Sequence, residues 1–258
     1  MIEIVIVSAV ACLASLLTFF SGFGLGTLLM PVVALFFSIE VAIGVTAVVH
    51  LANNVFKLSL LAKHVNKDVL LRFGLTAVVA AFLGAYVLGW LAEEGSAFNF
   101  QFFGHAFETT VLKLIVGALI IVFVIFELTQ WLKRKTLDKK YLPLGGFISG
   151  FFGGLSGHQG AFRSLFLLKA GLSKEQFIAT GVMVAVLVDV SRLLVYGQDL
   201  MTESHGIEWS LVLMATLFAF LGAIIGKKLL NKITIGSVQV VVSLLLVFVA
   251  LGLITGLL

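Results

Sequence analysis

The residues in this chain that could act chemically are polar side chains set in otherwise apolar stretches. One set lies in residues 41–62, where steps of three, four and seven place its members on one helical face. That set is His50, Asn53, Asn54 and Lys57. A second set in residues 175–197 contains Asp189 and Arg192. Charges at membrane depth are costly and need a partner, a cavity or a function, so both sets belong to the candidate site.

Two glycine-rich breaks add to this site, SGFGLG at 21–26 and GGLSGHQG at 153–160. A break inside a membrane exposes backbone N–H groups at the start of the next half-helix, where they and the helix dipole attract anions. Glycine also lets a ligand approach the backbone closely. The breaks contribute Ser21, Gly22 and Gly24 from the first, and Ser156, Gly157, His158 and Gln159 from the second, which Arg163 follows.

The charge balance of these candidates favours an anion. Lys57, Arg163 and Arg192 stand against one acid, Asp189, whereas a carrier of cations is expected to show the opposite balance. No catalytic residue, metal site or cofactor is predicted, because Cys12 is the single cysteine and the chain has no motif of metal-ligand spacing.

Other roles for the same residues stay open. Asp189 and Arg192, three apart on a helix, could simply neutralise each other. Lys57 and Arg163 could extend their charged ends to a membrane interface. His50 could be a packed hydrogen-bonding residue, a ligand or a proton carrier.

The composition shows which elements must position these residues. Of 258 residues, 60% are apolar and 12% charged, with a mean hydropathy of +1.17. Soluble domains are nearer half apolar and about a quarter charged, so this chain must have lipid as its solvent. The net charge of +4 then reflects basic cytoplasmic loops rather than nucleic-acid binding. The N-terminus has no basic region before its apolar run, so it is expected to be the first membrane segment rather than a cleaved signal peptide.

Ten membrane segments are predicted. About 20 apolar residues cross a bilayer as a helix, and six stretches qualify: 41–62, 73–92, 109–132, 175–197, 208–230 and 233–257. The glycine breaks divide 3–37 and 141–170 into two short arms each. Basic loops at 63–72, 133–140 and 227–232 are predicted to be cytoplasmic, and acidic loops at 93–108 and 198–208 external.

The two halves of the chain resemble each other in the order of short motifs. AFLGA occurs at 81–85 and 219–223, FFSG at 19–22 answers FFGG at 151–154, and Asn54 and Lys57 answer Asp189 and Arg192. Each half reads as a broken helical hairpin followed by three transmembrane helices. The predicted fold is thus an all-α integral membrane protein of two inverted-topology repeats, at 1–132 and 141–258, joined by a basic linker at 133–140.

Together these features resemble the TauE/SafE family of sulfite and organosulfonate exporters, which includes permeases of the 4-toluene sulfonate uptake type. The resemblance rests on the glycine-interrupted hairpin, its second copy after a basic linker, and the Asn54/Lys57 positions. It implies export of small sulfur-containing anions from the bacterial cytoplasm across the inner membrane. One departure concerns the second break, which carries His158, Gln159 and Arg163 in place of the family's apolar stretch with a proline. This departure allows a substrate other than sulfite.

The sequence therefore predicts a secondary transporter of a small anion that works by alternating access, and not an enzyme. An anion channel is the first alternative and a membrane-embedded enzyme the second, although no HExxH or GxSxG spacing supports an enzyme. The expected partners are the small anion and the lipid bilayer, without nucleic acid. A homo-oligomer is compatible with the sequence.

Overall fold

The structure is a computed structural model that describes residues 1–21, 24–93, 97–102, 105–128, 138–168, 170–202, 208–229 and 236–258. Its first half contains helices α1 (Ile2–Ser21), α2 (Leu25–Val33), α3 (Ile39–Leu61), α4 (Lys67–Glu93) and α5 (Val111–Leu128). The second half contains α6 (Leu142–Ser156), α7 (Gly160–Leu167), α8 (Lys174–Thr202), α9 (Trp209–Leu229) and α10 (Gly236–Thr255). Short 3₁₀ turns lie at Ala62–His64 and Lys139–Tyr141, and α4 has a π-helical turn at Leu70–Gly74.

These helices match the ten predicted segments one for one, and the predicted all-α class of membrane protein is confirmed. Both glycine breaks separate two helices, α1 from α2 and α6 from α7. Two boundaries differ from the prediction by five residues or more, because α4 begins at Lys67 rather than at 73 and α8 ends at Thr202 rather than at 197. The Asn66 side chain explains the earlier start, since it accepts a hydrogen bond from the Val69 backbone N–H at 3.0 Å and caps the helix.

A β-hairpin was not predicted. Strands β1 (Ala97–Phe102) and β2 (His105–Thr110) pair antiparallel between α4 and α5. The segment alternates phenylalanine with polar residues over AFNFQF, which is the period of a strand. The sequence interpretation treated this region only as an acidic loop and overlooked the alternation.

The outer surface of the described residues suits lipid. Four helices are long and apolar enough to cross a membrane: Ile39–His64, Lys67–Glu93, Lys174–Gly197 and Trp209–Lys228. Large apolar side chains on α4 and α9 face outward, including Leu75, Val79, Trp90, Leu213 and Leu217. The chain is therefore a multi-pass membrane protein, as its composition predicted. The orientation in the membrane, the boundaries of the two repeats and the role of residues 138–140 as a linker stay predictions. Residues 133–137 and 230–232, which belong to two of the predicted basic loops, lie outside the described residues.

Helix packing follows a regular scheme between the halves. The first helix of each half packs along the fourth helix of the other, α1 with α9 and α6 with α4. The third helices, α3 and α8, pack together, and so do the fifth, α5 and α10. Glycine permits close approach in the first two of these pairs: Gly84 of α4 lies against the Phe151 carbonyl of α6, and Gly222 of α9 lies against the Cys12 carbonyl of α1. These glycines are the corresponding residues of the two AFLGA motifs. The inverted relation of the halves stays a prediction.

Replacing Gly84 or Gly222 with alanine is expected to destabilise the protein by about 1–3 kcal/mol. In each case the new methyl group meets a backbone carbonyl of the neighbouring helix, which cannot move without shifting that helix. The matched control is Gly89→Ala, also in α4, because a methyl group there meets nothing within 4 Å. Thermal unfolding in detergent should show lower melting temperatures for the first two variants alone. Equal values for all three would show that these glycines do not set the helix spacing.

Candidate functional site

The centre of the candidate site is a buried carboxylate where α3 meets α8. The Asp189 Oδ2 atom lies 2.6 Å from His50 Nδ1, and the Asp189 Oδ1 atom lies 2.8 Å from Arg192 Nη2. Asn54 Nδ2 is 3.5 Å from Asp189 Oδ2 and 3.2 Å from each nitrogen of the His50 ring. At most 5% of any of these side chains is exposed. The Asp189–Arg192 pair that the sequence suggested is present, and His50 is a partner that the sequence did not assign.

The Asp189 carboxylate connects α8 to α3. A buried carboxylate is stable only when other groups compensate it, and here one oxygen faces a cation on its own helix while the other faces a histidine on α3. A change at either partner therefore alters the contact between α3 and α8. The Arg192 Nε atom has no hydrogen-bond partner among the described residues, so the guanidinium has donor capacity left beside its contact with Asp189.

The second glycine break packs directly on this guanidinium. Gly157 ends α6 with φ of +78°, in the left-handed region, and its N–H donates to the Gly153 carbonyl at 2.9 Å. A Cβ atom at Gly157 would lie 2.6 Å from Arg192 Nη1. Glycine is therefore required here twice, for the backbone conformation and for the space that Arg192 occupies.

Two polar side chains of the break have unused hydrogen-bonding atoms. His158 uses Nδ1 to contact the Ser156 carbonyl at 3.0 Å and the Ser156 hydroxyl at 3.1 Å, and Gln159 accepts from Arg163 Nη1 at 3.3 Å. The opposite atoms, His158 Nε2 and Gln159 Nε2, are buried and have no partner among the described residues. Such atoms cost free energy unless something binds them, and a ligand in the break would do so.

The first break faces the same centre. A Cβ atom at Gly24, the residue before α2, would lie 3.4 Å from His50 Nε2, and one at Gly26 would lie 3.5 Å from the Gly157 carbonyl oxygen. The two breaks are thus neighbours across the halves, with His50 beside one and Arg192 beside the other. Gly22 and the side chain of Ser21 lie outside the described residues.

Lys57 lies inside the protein, on a separate polar cluster between α1, α3 and α9. Its Nζ donates to the Ser15 carbonyl at 3.4 Å, and only 3% of the residue is exposed. One orientation of the Asn53 amide gives both of its ends a hydrogen-bond partner. In that orientation its oxygen accepts from Lys57 Nζ at 3.0 Å and its nitrogen donates to the Ala219 carbonyl at 3.2 Å. The alternative in which Lys57 reaches the interface does not describe this structure. Arg163 is also buried.

The structure also supplies residues that the sequence analysis left out. Phe123 of α5 stacks on the His158 ring with centroids 5.1 Å apart, and Phe162 packs on Phe123 at 5.0 Å. Ser15 of α1 is the neighbour of Lys57 and Asn53. No sequence signal distinguishes these three from the other phenylalanines and serines. Among the described residues, no group of three or more His, Cys, Asp or Glu side chains could hold a metal ion.

The comparisons with known proteins gave one match. The model of a family described as sulfite exporter TauE/SafE matches residues 7–253, which is nearly the whole chain. No curated protein and no solved structure gave a significant match.

Proposed function

Since the chain belongs to the TauE/SafE family of sulfite exporters, we propose that it is a secondary transporter that exports a small sulfur-containing anion by alternating access. Membership of the family implies membrane transport of sulfite or a related anion. The finer proposal concerns the substrate, the direction and the mechanism. Sulfite and small organosulfonates are the substrates that we propose, and the bacterial inner membrane is the proposed location.

The observation that carries this proposal is the buried excess of positive charge. Lys57, Arg163 and Arg192 are each at least nine-tenths buried, and the buried acid Asp189 pairs with Arg192. Uncompensated charges inside a membrane protein cost several kcal/mol. An oxyanion between the breaks would offset that cost and would accept hydrogen bonds from Arg192, His158 and Gln159, whose buried nitrogens have capacity left.

The packing scheme supports alternating access. In an inverted repeat, corresponding helices meet near a pseudo-two-fold axis and run antiparallel. Asn54 and Asp189, which the sequence comparison places in equivalent positions, approach each other to 3.5 Å. Under this proposal Lys57 and Arg192, three residues further along their helices, lie on opposite sides of that meeting point. We propose that an anion passes from one cation to the other as the halves exchange conformations.

The proposed orientation makes export favourable. With the basic loops cytoplasmic, Lys57 and Arg163 lie on the inner side of the centre and Arg192 on the outer side. An inside-negative potential drives an anion outward with about 2.3 kcal/mol per charge per 100 mV.

Two other functions make different predictions. An anion channel would give single-channel currents and no counterflow, because it has no step in which a bound substrate on one side exchanges for one on the other. A membrane-embedded enzyme would turn over its substrate without transport, with His50, His158 and Asp189 as the candidate groups.

Purified protein in liposomes should take up radiolabelled sulfite with saturation and show counterflow when unlabelled sulfite is inside. A parallel screen with thiosulfate, sulfoacetate and simple carboxylates would identify the preferred anion.

Arg163→Ala is expected to lower the rate of sulfite uptake at least tenfold, since it removes a buried cation and the partner of Gln159. The matched control is Arg72→Ala, because that arginine is exposed and pairs with Asp68 on the surface. Equal rates for Arg163→Ala and wild type would remove Arg163 from the site, and single-channel currents would favour the channel.

A further inference from the structure

The imidazole ring of His158 is held at one edge and on one face. Its Nδ1 atom contacts the Ser156 carbonyl at 3.0 Å and the Ser156 hydroxyl at 3.1 Å, and that hydroxyl donates to the Phe152 carbonyl at 3.3 Å. One face of the ring stacks on Phe123 of α5, with centroids 5.1 Å apart and planes inclined by 23°. Together these contacts fix the direction of Nε2, the buried atom that has no hydrogen-bond partner among the described residues.

Phe123 is itself held by two further aromatic rings. Phe162 of α7 packs edge-on against it with centroids 5.0 Å apart, and Phe152 of α6 packs edge-on at 6.1 Å. Phe152 and Phe162 also stack on each other at 5.1 Å. Aromatic pairs in these geometries contribute stability beyond their burial. Three helices thus supply one ring each to a rigid apolar support on which the His158 ring lies.

The corresponding phenylalanine in the other half of the chain has no such environment. LIIVFV at 119–124 answers LLLVFV at 244–249, which pairs Phe123 with Phe248 of α10. Phe123 is 3% exposed, whereas Phe248 is 66% exposed. The first break, SGFGLG, also has no histidine that would correspond to His158. If this phenylalanine served only the packing of the fifth helices, both halves would be expected to bury it. The buried ring occurs instead in the half that has the imidazole.

We propose that Phe123 is a positioning residue of the anion site, which holds the His158 ring so that its Nε2 edge meets the bound anion. This inference rests on the proposed transport function and adds a residue to its site. Without the stacked ring, His158 keeps its contacts with Ser156 but can tilt about them, and the anion must then order it on binding. A side chain that is already ordered binds more tightly, because its ordering no longer opposes binding.

Phe123→Leu is the test variant, since it keeps an apolar side chain in α5 and removes the stacked ring. The KM for sulfite in the liposome uptake assay should rise roughly three- to tenfold, the range that one aromatic pair contributes. KM does not depend on the amount of folded protein, so partial misfolding cannot imitate this result. The matched control is Phe248→Leu, which makes the same change at the corresponding exposed position and should keep the wild-type KM.

A double-mutant cycle separates positioning from general packing. In a His158→Ala background, Phe123→Leu should cause no further rise in KM, because the ring that it positions is gone. A role in the packing of α5 would instead raise KM by the same factor with and without His158. If Phe123→Leu does not yield folded protein, Phe162→Leu takes its place in the cycle, because it removes the ring that packs on Phe123, and a smaller rise is expected.

Four results would overturn the inference. The first is a wild-type KM in Phe123→Leu, the second an equal factor in both backgrounds, and the third an equal rise in Phe248→Leu. The fourth is uptake by Phe123→Leu that no longer saturates, since it would show that the ring closes a passage. Absence of saturable sulfite uptake and of counterflow in the wild type would instead reject the proposed function, and this inference with it.

Discussion

The Arg192→Ala variant is expected to transport sulfite about 100-fold more slowly than the wild type. Arg192 is the cation that compensates Asp189 at 2.8 Å, and only 1% of it is exposed. Removing one partner of a buried ion pair costs about 3–5 kcal/mol, because the other charge is left without compensation. The same change removes the donors that we assign to the anion. The initial rate of uptake, normalised to the amount of folded protein in the liposomes, measures the loss.

A double variant separates the structural role of Arg192 from its binding role. In Asp189→Asn/Arg192→Gln both members of the ion pair are replaced by neutral amides, so neither member is left charged without the other. The double variant should therefore unfold nearer to the wild-type temperature than Arg192→Ala does, while its transport stays as low. Arg192→Lys should recover only part of the rate, because an ammonium group lacks the planar fork of a guanidinium. Transport at the wild-type rate by the double variant would contradict a binding role for Arg192.

The positions of the helices could be predicted from the sequence because the membrane leaves few choices. A spanning segment must satisfy its own backbone hydrogen bonds in lipid, so an apolar run of sufficient length forms a helix. The glycine breaks were predictable for the same reason, since residues 3–37 are too long for one crossing. The start of α4 was missed because the cap depends on one side chain, Asn66, which apolar length does not reveal.

The composition of the site was predictable to a lesser degree. Helical spacing places His50, Asn54 and Lys57 on one face, and the structure buries all three. Spacing along one helix cannot say which distant residue that face meets. The contact between His50 and Asp189 joins residues 139 positions apart and depends on how α3 packs against α8.

Lys57 illustrates the same limit. Its short distance from the end of a predicted span suggested that it could reach the interface. In the structure, α1 and α9 cover it, and the Ser15 carbonyl accepts its hydrogen bond at 3.4 Å. Burial of a charge near a helix end is decided by the neighbouring helices, about which the span itself contains no information.

Replacing Gly157 with alanine is expected to lower transport more than tenfold and to lower stability as well. Two costs combine at this position. The left-handed conformation, with φ of +78°, costs an L-residue about 1–2 kcal/mol. In addition, the new methyl group would lie 2.6 Å from Arg192 Nη1, so the guanidinium must move away from the place where we assign the anion.

Gly171→Ala separates these two costs. Gly171 has a similar φ of +69° in the turn between α7 and α8, but a methyl group there meets only the end of the Lys139 side chain at 3.7 Å. This variant bears the backbone strain without displacing Arg192, so it should lose stability and transport sulfite within about twofold of the wild type. Uptake assays and melting temperatures of both variants provide the measurement. If Gly157→Ala loses no more transport than Gly171→Ala, the position of Arg192 does not control transport, and the site must be sought at Lys57 and Arg163 instead.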